Sequence, residues 1–409
     1  MADTIRDIVI VGGGLAAAKA AETVRTEGFD GTVTVLTEEP ERPYERPPLS
    51  KGYLVGKQPV DEVYVHAPGF YPEHDITLHI GDPATRIDRG GGQVHTRSGR
   101  RLPFDRLLLA TGAVPRRLPL GDGGLDGIVV LRTLEDSRML AERLRTVEHV
   151  TIVGAGWIGC EVAAAARTFG VNVAMVDPLD VPLARVLGPQ VGAVFRDLHR
   201  DHGVDLRLGV GVSGVRGAGT VEHVALDDDA TLDTQLVVVG VGVVPRVGLA
   251  EQAGLEVDDG VLVDETLVTS DPRILAAGDI ASAWHPSLRR RLRVEHWANA
   301  LNQGNTAGRN LLGTGEPYAR LPYFFSDQYD LGMEYSGLAD ASDRVVVRGS
   351  VAEREFIAFW LRDDRVVAGM NVNVWDVVED VQALIRAGVA VDSDALADRD
   401  VPLTGLVGG

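Results

Sequence analysis

Cysteine is almost missing: the 409-residue chain has one, Cys160. A single thiol makes neither an intramolecular disulfide nor a Cys-x-x-C pair, so dithiol redox chemistry is excluded. The same scarcity fits a reducing, cytoplasmic setting. Basic residues are also short, 40 against 59 acidic, leaving a formal charge of −19. That balance argues against a nucleic-acid binder, whose affinity rests on neutralising phosphates. No apolar run approaches the roughly 20 residues of a spanning helix. The opening "MADTIRDIVIVGGG" has no basic segment ahead of a long apolar core. Neither a membrane span nor a signal peptide is therefore expected. The composition, 45% hydrophobic, is ordinary for a globular protein. The length exceeds one hydrophobic core and predicts about two to four domains.

Glycine, by contrast, is abundant at 48 residues, and much of it stands in ordered motifs. "DIVIVGGGLAAAKAAETVRTEGFDGTVTVLTEE" predicts strand, tight turn, helix and strand, with Gly12, Gly14 and Ala17 at the G-x-G-x-x-G/A positions. The first glycine makes the turn, the second lets the backbone approach a pyrophosphate, and the third position needs a small residue for packing. Glu38, 24 residues beyond Gly14, is placed to accept ribose hydroxyls. The pattern recurs in "HVTIVGAGWIGCEVAAAARTFGVNVAMVD", with Gly154, Gly156, Gly159 and a closing Asp177. Two such copies point to two dinucleotides. Asp177 would bind a 2′-hydroxyl and repel a 2′-phosphate, favouring NADH over NADPH, although nearby Arg185 is able to accept a phosphate.

Three further apolar strands end in glycine. "LLLATG" closes on Thr111 and Gly112, "LVVVGVGVVPR" carries Gly242, and "ILAAGDIA" ends at Gly278 and Asp279. An aspartate at a strand's carboxyl end is placed to bind a ligand hydroxyl, or else to cap a helix ahead of Ile280. In the tail, "RVVVRGSV", "EFIAFWLR" and "RVVAGMNV" predict strands with a turn at Asp363-Asp364, and "VVEDVQALIRAGV" an amphipathic helix.

In order, the chain shows "VGGGLAA", "RPPLSKGYL", "LLLATG", "LRTLEDS", "VGAGWIGCEVA", "GVGVVPR", "AAGDIA", "VEHWANALNQG" and "FFSDQYDLG". This series resembles the NADH-dependent, FAD-containing ferredoxin reductases over nearly the whole length. The resemblance implies an α/β, glutathione-reductase-like fold with two Rossmann-type dinucleotide-binding domains and a small C-terminal α+β domain. The implied FAD-binding domain is discontinuous, residues 1–113 and 243–322. The NADH-binding domain is residues 114–242, and the C-terminal domain 323–409.

The resemblance also assigns roles. Lys51 would lie beside the flavin ring near N5 and pair with Glu161, the carboxylate that follows the second glycine turn. Ala16, Glu38, Arg46, Ala84, Arg132, Asp279 and Trp297 fall at FAD-contacting positions. Gly154, Gly156, Ile158, Gly159, Glu161, Asp177, Arg185 and Gly242 fall at the NADH site. Hydride transfer to flavin needs no protein base, so His296, beside Trp297, is not expected to act as one. Cys160 is expected to be a small packing residue.

Two positions depart from the family. Phe325 in "PYFFSDQ" stands where a second tryptophan is frequent, and Arg246 follows "GVVP" where asparagine is common. The implied partner is a 2Fe–2S ferredoxin serving a cytochrome P450 or an oxygenase, the reductase itself being a monomer or weak homodimer. Rubredoxin reductase or another flavin reductase is the alternative within the class. A redox-sensing flavoprotein like apoptosis-inducing factor is the alternative outside it. Such ferredoxins are usually acidic, so docking calls for a basic patch, and "LRRRLRVEH" offers Arg289, Arg290, Arg291 and Arg293.

Overall fold

Short β-branched runs bounded by glycine turns become parallel strands in a computed structural model that describes residues 5–119 and 124–406. Contacts divide the chain into two units. The first holds residues up to Arg46, Pro59–Val114 and Val243–Arg320; the second holds Pro47–Gln58, Pro115–Gly242 and the chain from Leu321 onward.

The first unit is built on a five-stranded parallel sheet. Its order is Ile274–Ala276, Arg106–Leu109, Asp7–Val11, Thr32–Leu36, Ile76–His79. Asp7–Val11 sits in the middle, and four of its five residues are buried. The turn that carries the first glycine motif therefore emerges at the centre of the sheet's carboxyl edge, where open α/β sheets bind ligands. The helix after it, Leu15–Thr26, packs on the helix Trp297–Leu311 through small residues. A Cβ on Gly304 would stand 2.6 Å from the Ala16 carbonyl oxygen.

The second unit repeats the plan. Asp205–Leu208, Asn172–Asp177, His149–Val153, Leu236–Val239 and Ile128–Val129 form a parallel sheet in that order. The same unit holds a five-stranded antiparallel sheet: Tyr323–Gln328, Leu331–Gly337, Arg365–Val372, Glu355–Arg362, Arg344–Ser350. Asp363 and Asp364 both have positive φ, 50° and 57°, and make the two-residue hairpin turn the sequence indicated. The amphipathic helix of the tail spans Val378–Ala387.

Pro47–Gln58 was expected with the first domain, and its packing places it in the second unit. Leu54 is fully buried in that unit's core, and the Ser137 hydroxyl donates to the Leu49 carbonyl at 2.7 Å. This short segment carries Lys51.

Candidate active site

Each glycine turn presses against a neighbouring strand end. Gly12 has φ 141°, and a Cβ there would lie 2.1 Å from the Ala110 carbonyl oxygen; Gly154 has φ 103°, with the Gly240 oxygen at 2.5 Å. Neither position accepts a side chain. Gly14 and Gly156 are different: a Cβ on either would meet nothing within 4 Å. They stand at the N-caps of Leu15–Thr26 and Trp157–Thr168, and no side chain caps the amides of either helix. Bare backbone at a helix N-terminus, facing open space, suits a pyrophosphate. Both turns thus fit the phosphates of a dinucleotide. Ala17 is fully buried under the first turn, and a Cβ on Gly159 under the second would lie 1.9 Å from the Gly154 oxygen.

In the first unit, several sequence-nominated residues converge through Arg246. Its Nη1 donates to Glu38 Oε2 at 2.5 Å, and Arg97 Nη2 lies 3.6 Å from the other Glu38 oxygen. The Arg246 amide donates to the Gly112 carbonyl at 2.9 Å, and its carbonyl accepts from Thr111 Oγ1 at 3.0 Å. Arg246 thus stitches Glu38 to the Thr111-Gly112 strand end. Arg46 pairs with Glu39 at 3.0 Å.

Asp279 follows Gly278 in a turn closed by the Ala281 amide on the Gly278 carbonyl. The turn leads into the strand Ala281–His285, so Asp279 caps no helix. Ala84 opens the strand Ala84–Asp88, and Trp297 opens the helix that packs on the first glycine-turn helix. Burial pushes His296 down to about 4 against the opposing pull of Asp279. The ring is therefore neutral near pH 7. Arg132 belongs to the second unit, where its amide donates to Asp136 Oδ2 at 3.1 Å just ahead of the Thr133–Asp136 capping box.

In the second unit, Asp177 ends its strand with both oxygens engaged. Oδ2 accepts the Ala155 amide at 2.7 Å and Oδ1 the Leu179 amide at 2.9 Å. The acid is thereby fixed to the glycine turn, with acceptor lone pairs to spare. Ile158 is exposed on the first turn of the helix, and Arg185 is exposed near the start of Ala184–Asp201. Gly242 has φ 96° beside the Arg116 side chain.

Glu161 lies one turn into the helix Trp157–Thr168 and is only 5% exposed. Lys51 Nζ stands 2.8 Å from its Oε1. The Ser326 hydroxyl donates to the same oxygen at 2.7 Å, and the Ser50 hydroxyl donates to Oε2 at 2.5 Å. A buried carboxylate needs such partners; breaking a buried pair typically costs about 3–5 kcal/mol. The Phe325 ring lies 5.4 Å from Lys51 Nζ, within cation–π range. The nominated pair therefore exists, inside a polar cluster that motif reading did not reveal.

Cys160, next to Glu161, is fully buried, with Sγ 3.6 Å from the Ala155 carbonyl oxygen. Burial, then the charges of Glu161 and Asp177, push the thiol far up. It is inert packing.

The proposed basic patch is smaller than its sequence. Arg293 is spent on Asp259 at 2.9 Å and Glu295 at 2.5 Å, its side chain only 10% exposed. Arg291 donates to the backbone carbonyls of Val263 and Ser282 at 2.7 and 2.6 Å, tying its hairpin to the neighbouring strand. The four arginines do not form one outward charge cluster. Arg289 is exposed in the hairpin turn, and Arg290 and Arg291, also exposed, open the strand Arg290–Leu292.

Reading the motifs alone missed Ser50 as more than a cap, and missed Ser326, Gln328 and His199 altogether. The available signal was "FFSDQ": alternation in a strand puts Phe324, Ser326 and Gln328 on one face, all three buried, so two polar side chains need partners indoors. Among the described residues, no group of three or more His, Cys, Asp or Glu side chains is placed to hold a metal, and no helix is long and apolar enough to cross a membrane.

Comparison with known proteins agrees with this geometry. Residues 6–304 match the pyridine nucleotide-disulphide oxidoreductase model, and residues 323–407 the reductase C-terminal model. The chain is 40% identical to the ferredoxin reductase subunit of 5,5′-dehydrodivanillate O-demethylase from Sphingobium sp., covering 98% of each. It is 37% identical to putidaredoxin reductase of Pseudomonas putida, over 98% of this chain and 96% of that one. The solved putidaredoxin reductase–putidaredoxin complex superimposes with a TM-score of 0.95 at 36% identity, covering 99% of both chains. The chain belongs to the pyridine nucleotide-disulphide oxidoreductase family, and within it to the ferredoxin reductases.

Proposed function

We propose that the chain takes a hydride from NADH onto FAD and passes the electrons singly to a 2Fe–2S ferredoxin serving a cytochrome P450 or a ring-hydroxylating oxygenase. The observation that carries this reading is the 2.8 Å pair between Lys51 and the buried Glu161, which stands on a helix that opens at a dinucleotide-type glycine turn. FAD, when bound, supplies the division of a two-electron donation into single electrons for an iron–sulfur acceptor.

The chain's own residues bind and polarise. Gly12, Gly14 and Ala17 would hold the FAD pyrophosphate, with Glu38 on the adenosine ribose and Arg46, Asp279 and Trp297 contacting the rest. Gly154, Gly156 and Gly159 would hold the NADH pyrophosphate, with Asp177 on the ribose. Lys51 is a fixed cation, because Glu161 holds its ammonium and the Phe325 ring borders it. A preorganised positive charge favours a neighbouring group that becomes negative on reduction. Glu161 in turn holds the lysine in place. Cys160 takes no part. The low cysteine content suits a cytoplasmic protein.

The test is anaerobic. NADH should bleach the flavin, and titration with a 2Fe–2S ferredoxin should reoxidise it stoichiometrically. Reoxidation by rubredoxin alone would move the protein to the rubredoxin branch. A long-lived reduced complex that no carrier discharges would make it a sensor. In stopped flow, Lys51→Ala should reduce at least about tenfold more slowly, the factor carried by ~1.4 kcal/mol. An unchanged rate would remove Lys51 from the mechanism.

A further inference from the structure

Glu161 is the end of a longer buried chain. Ser326 Oγ lies 2.7 Å from Glu161 Oε1, and Gln328 Nε2 lies 3.2 Å from Ser326 Oγ. His199 Nε2 lies 3.0 Å from Gln328 Oε1, and Tyr329 OH lies 3.2 Å from His199 Nδ1. Ser326, Gln328 and His199 are each no more than 1% exposed. Beyond them the Tyr329 ring stacks on His202, centroids 3.7 Å apart, and His202 reaches the surface at one-third exposure.

The direction of every hydrogen bond follows from its end. A carboxylate only accepts, so Ser326 spends its one proton on Glu161 and must accept from Gln328. The Gln328 amide therefore turns its nitrogen to Ser326 and its oxygen to His199. An amide oxygen only accepts, so His199 carries its proton on Nε2. The neutral ring then accepts at Nδ1, and Tyr329 donates there. Burial keeps the ring neutral, pushing it down to about 4 despite the Gln328 hydrogen bond. All four donors point toward Glu161.

We propose that His199 and Gln328 are positioning residues for hydride transfer: their chain of aligned donors stabilises the Glu161 carboxylate and, through it, the fixed charge of Lys51. The inference rests on the role given to Lys51 above. Aligned hydrogen bonds polarise one another in a low-dielectric interior, so a residue two links away is felt at the carboxylate. The other ionisable groups facing Glu161 are Asp327, from the strand Tyr323–Gln328, and Cys160, from its own helix; Glu334 acts on Asp327. Those facing His199 are Tyr329 and His202.

The test is flavin reduction by NADH in the FAD-loaded enzyme across pH, with parent, Gln328→Leu, His199→Phe, His199→Gln and Lys51→Ala. Losing donors disfavours the anion. In Gln328→Leu the reduction rate should fall about three- to tenfold at pH 7, the range that loss of one neutral hydrogen bond predicts. The acid limb of its pH–rate profile should move up relative to the parent's. His199→Phe should move it less, in the same direction. His199→Gln, which again offers an N–H, should restore the parent profile and serves as the variant that folds if the larger changes do not. Profiles that coincide with the parent, or rates lowered equally at every pH, overturn the proposal. If Lys51→Ala is slow while the chain variants match the parent, only the chain falls. If Lys51→Ala is as fast as the parent, the role of Lys51 falls first and the chain with it.

Discussion

The Asp177 carboxylate accepts the Ala155 amide at 2.7 Å, so the acid that would read the NADH ribose is anchored in the turn that would bind the pyrophosphate. An anchored negative charge cannot swing aside for a 2′-phosphate, whose repulsion is the basis of discrimination. Asp177→Asn keeps one acceptor oxygen for Ala155 and removes the charge. The ratio of kcat/KM for NADH over NADPH should fall about tenfold, the factor carried by ~1.4 kcal/mol. Steady-state kinetics with both coenzymes checks it. An unchanged ratio would shift attention to Arg185, exposed on the following helix.

The arginines of "LRRRLRVEH" should separate by function. Arg289 is exposed in the hairpin turn, so Arg289→Glu should raise the KM for ferredoxin and weaken its dependence on salt, as loss of a rim charge does. Reduction of ferricyanide, a small acceptor, should be unchanged. Arg291→Glu should act differently, because it removes two hydrogen bonds to the Val263 and Ser282 carbonyls. Its effect should appear in thermal stability, at about 1–3 kcal/mol for the backbone acceptors left short of a partner. Equal effects of both substitutions on the ferredoxin KM would mean that the hairpin docks as a unit.

What was legible in the chain was local. Gly12 and Gly154 announce themselves because a positive φ and a backbone contact leave no alternative residue. The Asp363-Asp364 hairpin is equally local. The Lys51–Glu161 pair joins positions 110 residues apart and was reachable only through the resemblance of whole motifs. Ser326 and Glu161 are 165 residues apart, and His199 and Gln328 are 129 apart. Nothing in spacing links them; only packing does. The same reason explains the arginine patch. Asp259 lies 34 residues from Arg293, and that ion pair is visible only once the chain folds. Arg246, without an evident role as a residue type, acquires one because Glu38, 208 residues away, folds against it.

One buried acid ties the first unit's stability to pH. Asp271 is 4% exposed and accepts from Arg89 Nε at 2.9 Å, from Arg273 Nη2 at 3.1 Å and from the Arg273 amide at 3.1 Å. Burial by itself would raise its carboxyl, but the hydrogen bonds from Arg273 and Arg89 outweigh that and hold it down at about 2, against an ordinary 3.8. The group binds its proton more weakly folded than unfolded. Its stabilisation is therefore complete above the ordinary value and is lost as pH falls from about 4 toward 2. Asp271→Asn should lower stability at neutral pH by ~2 kcal/mol, the order that such a displacement implies. The difference between parent and variant in urea unfolding should stay constant from pH 7 to 5 and shrink below pH 4. A gap that persists undiminished at pH 3 would mean that the lost hydrogen bonds, and not the charge, carry the effect.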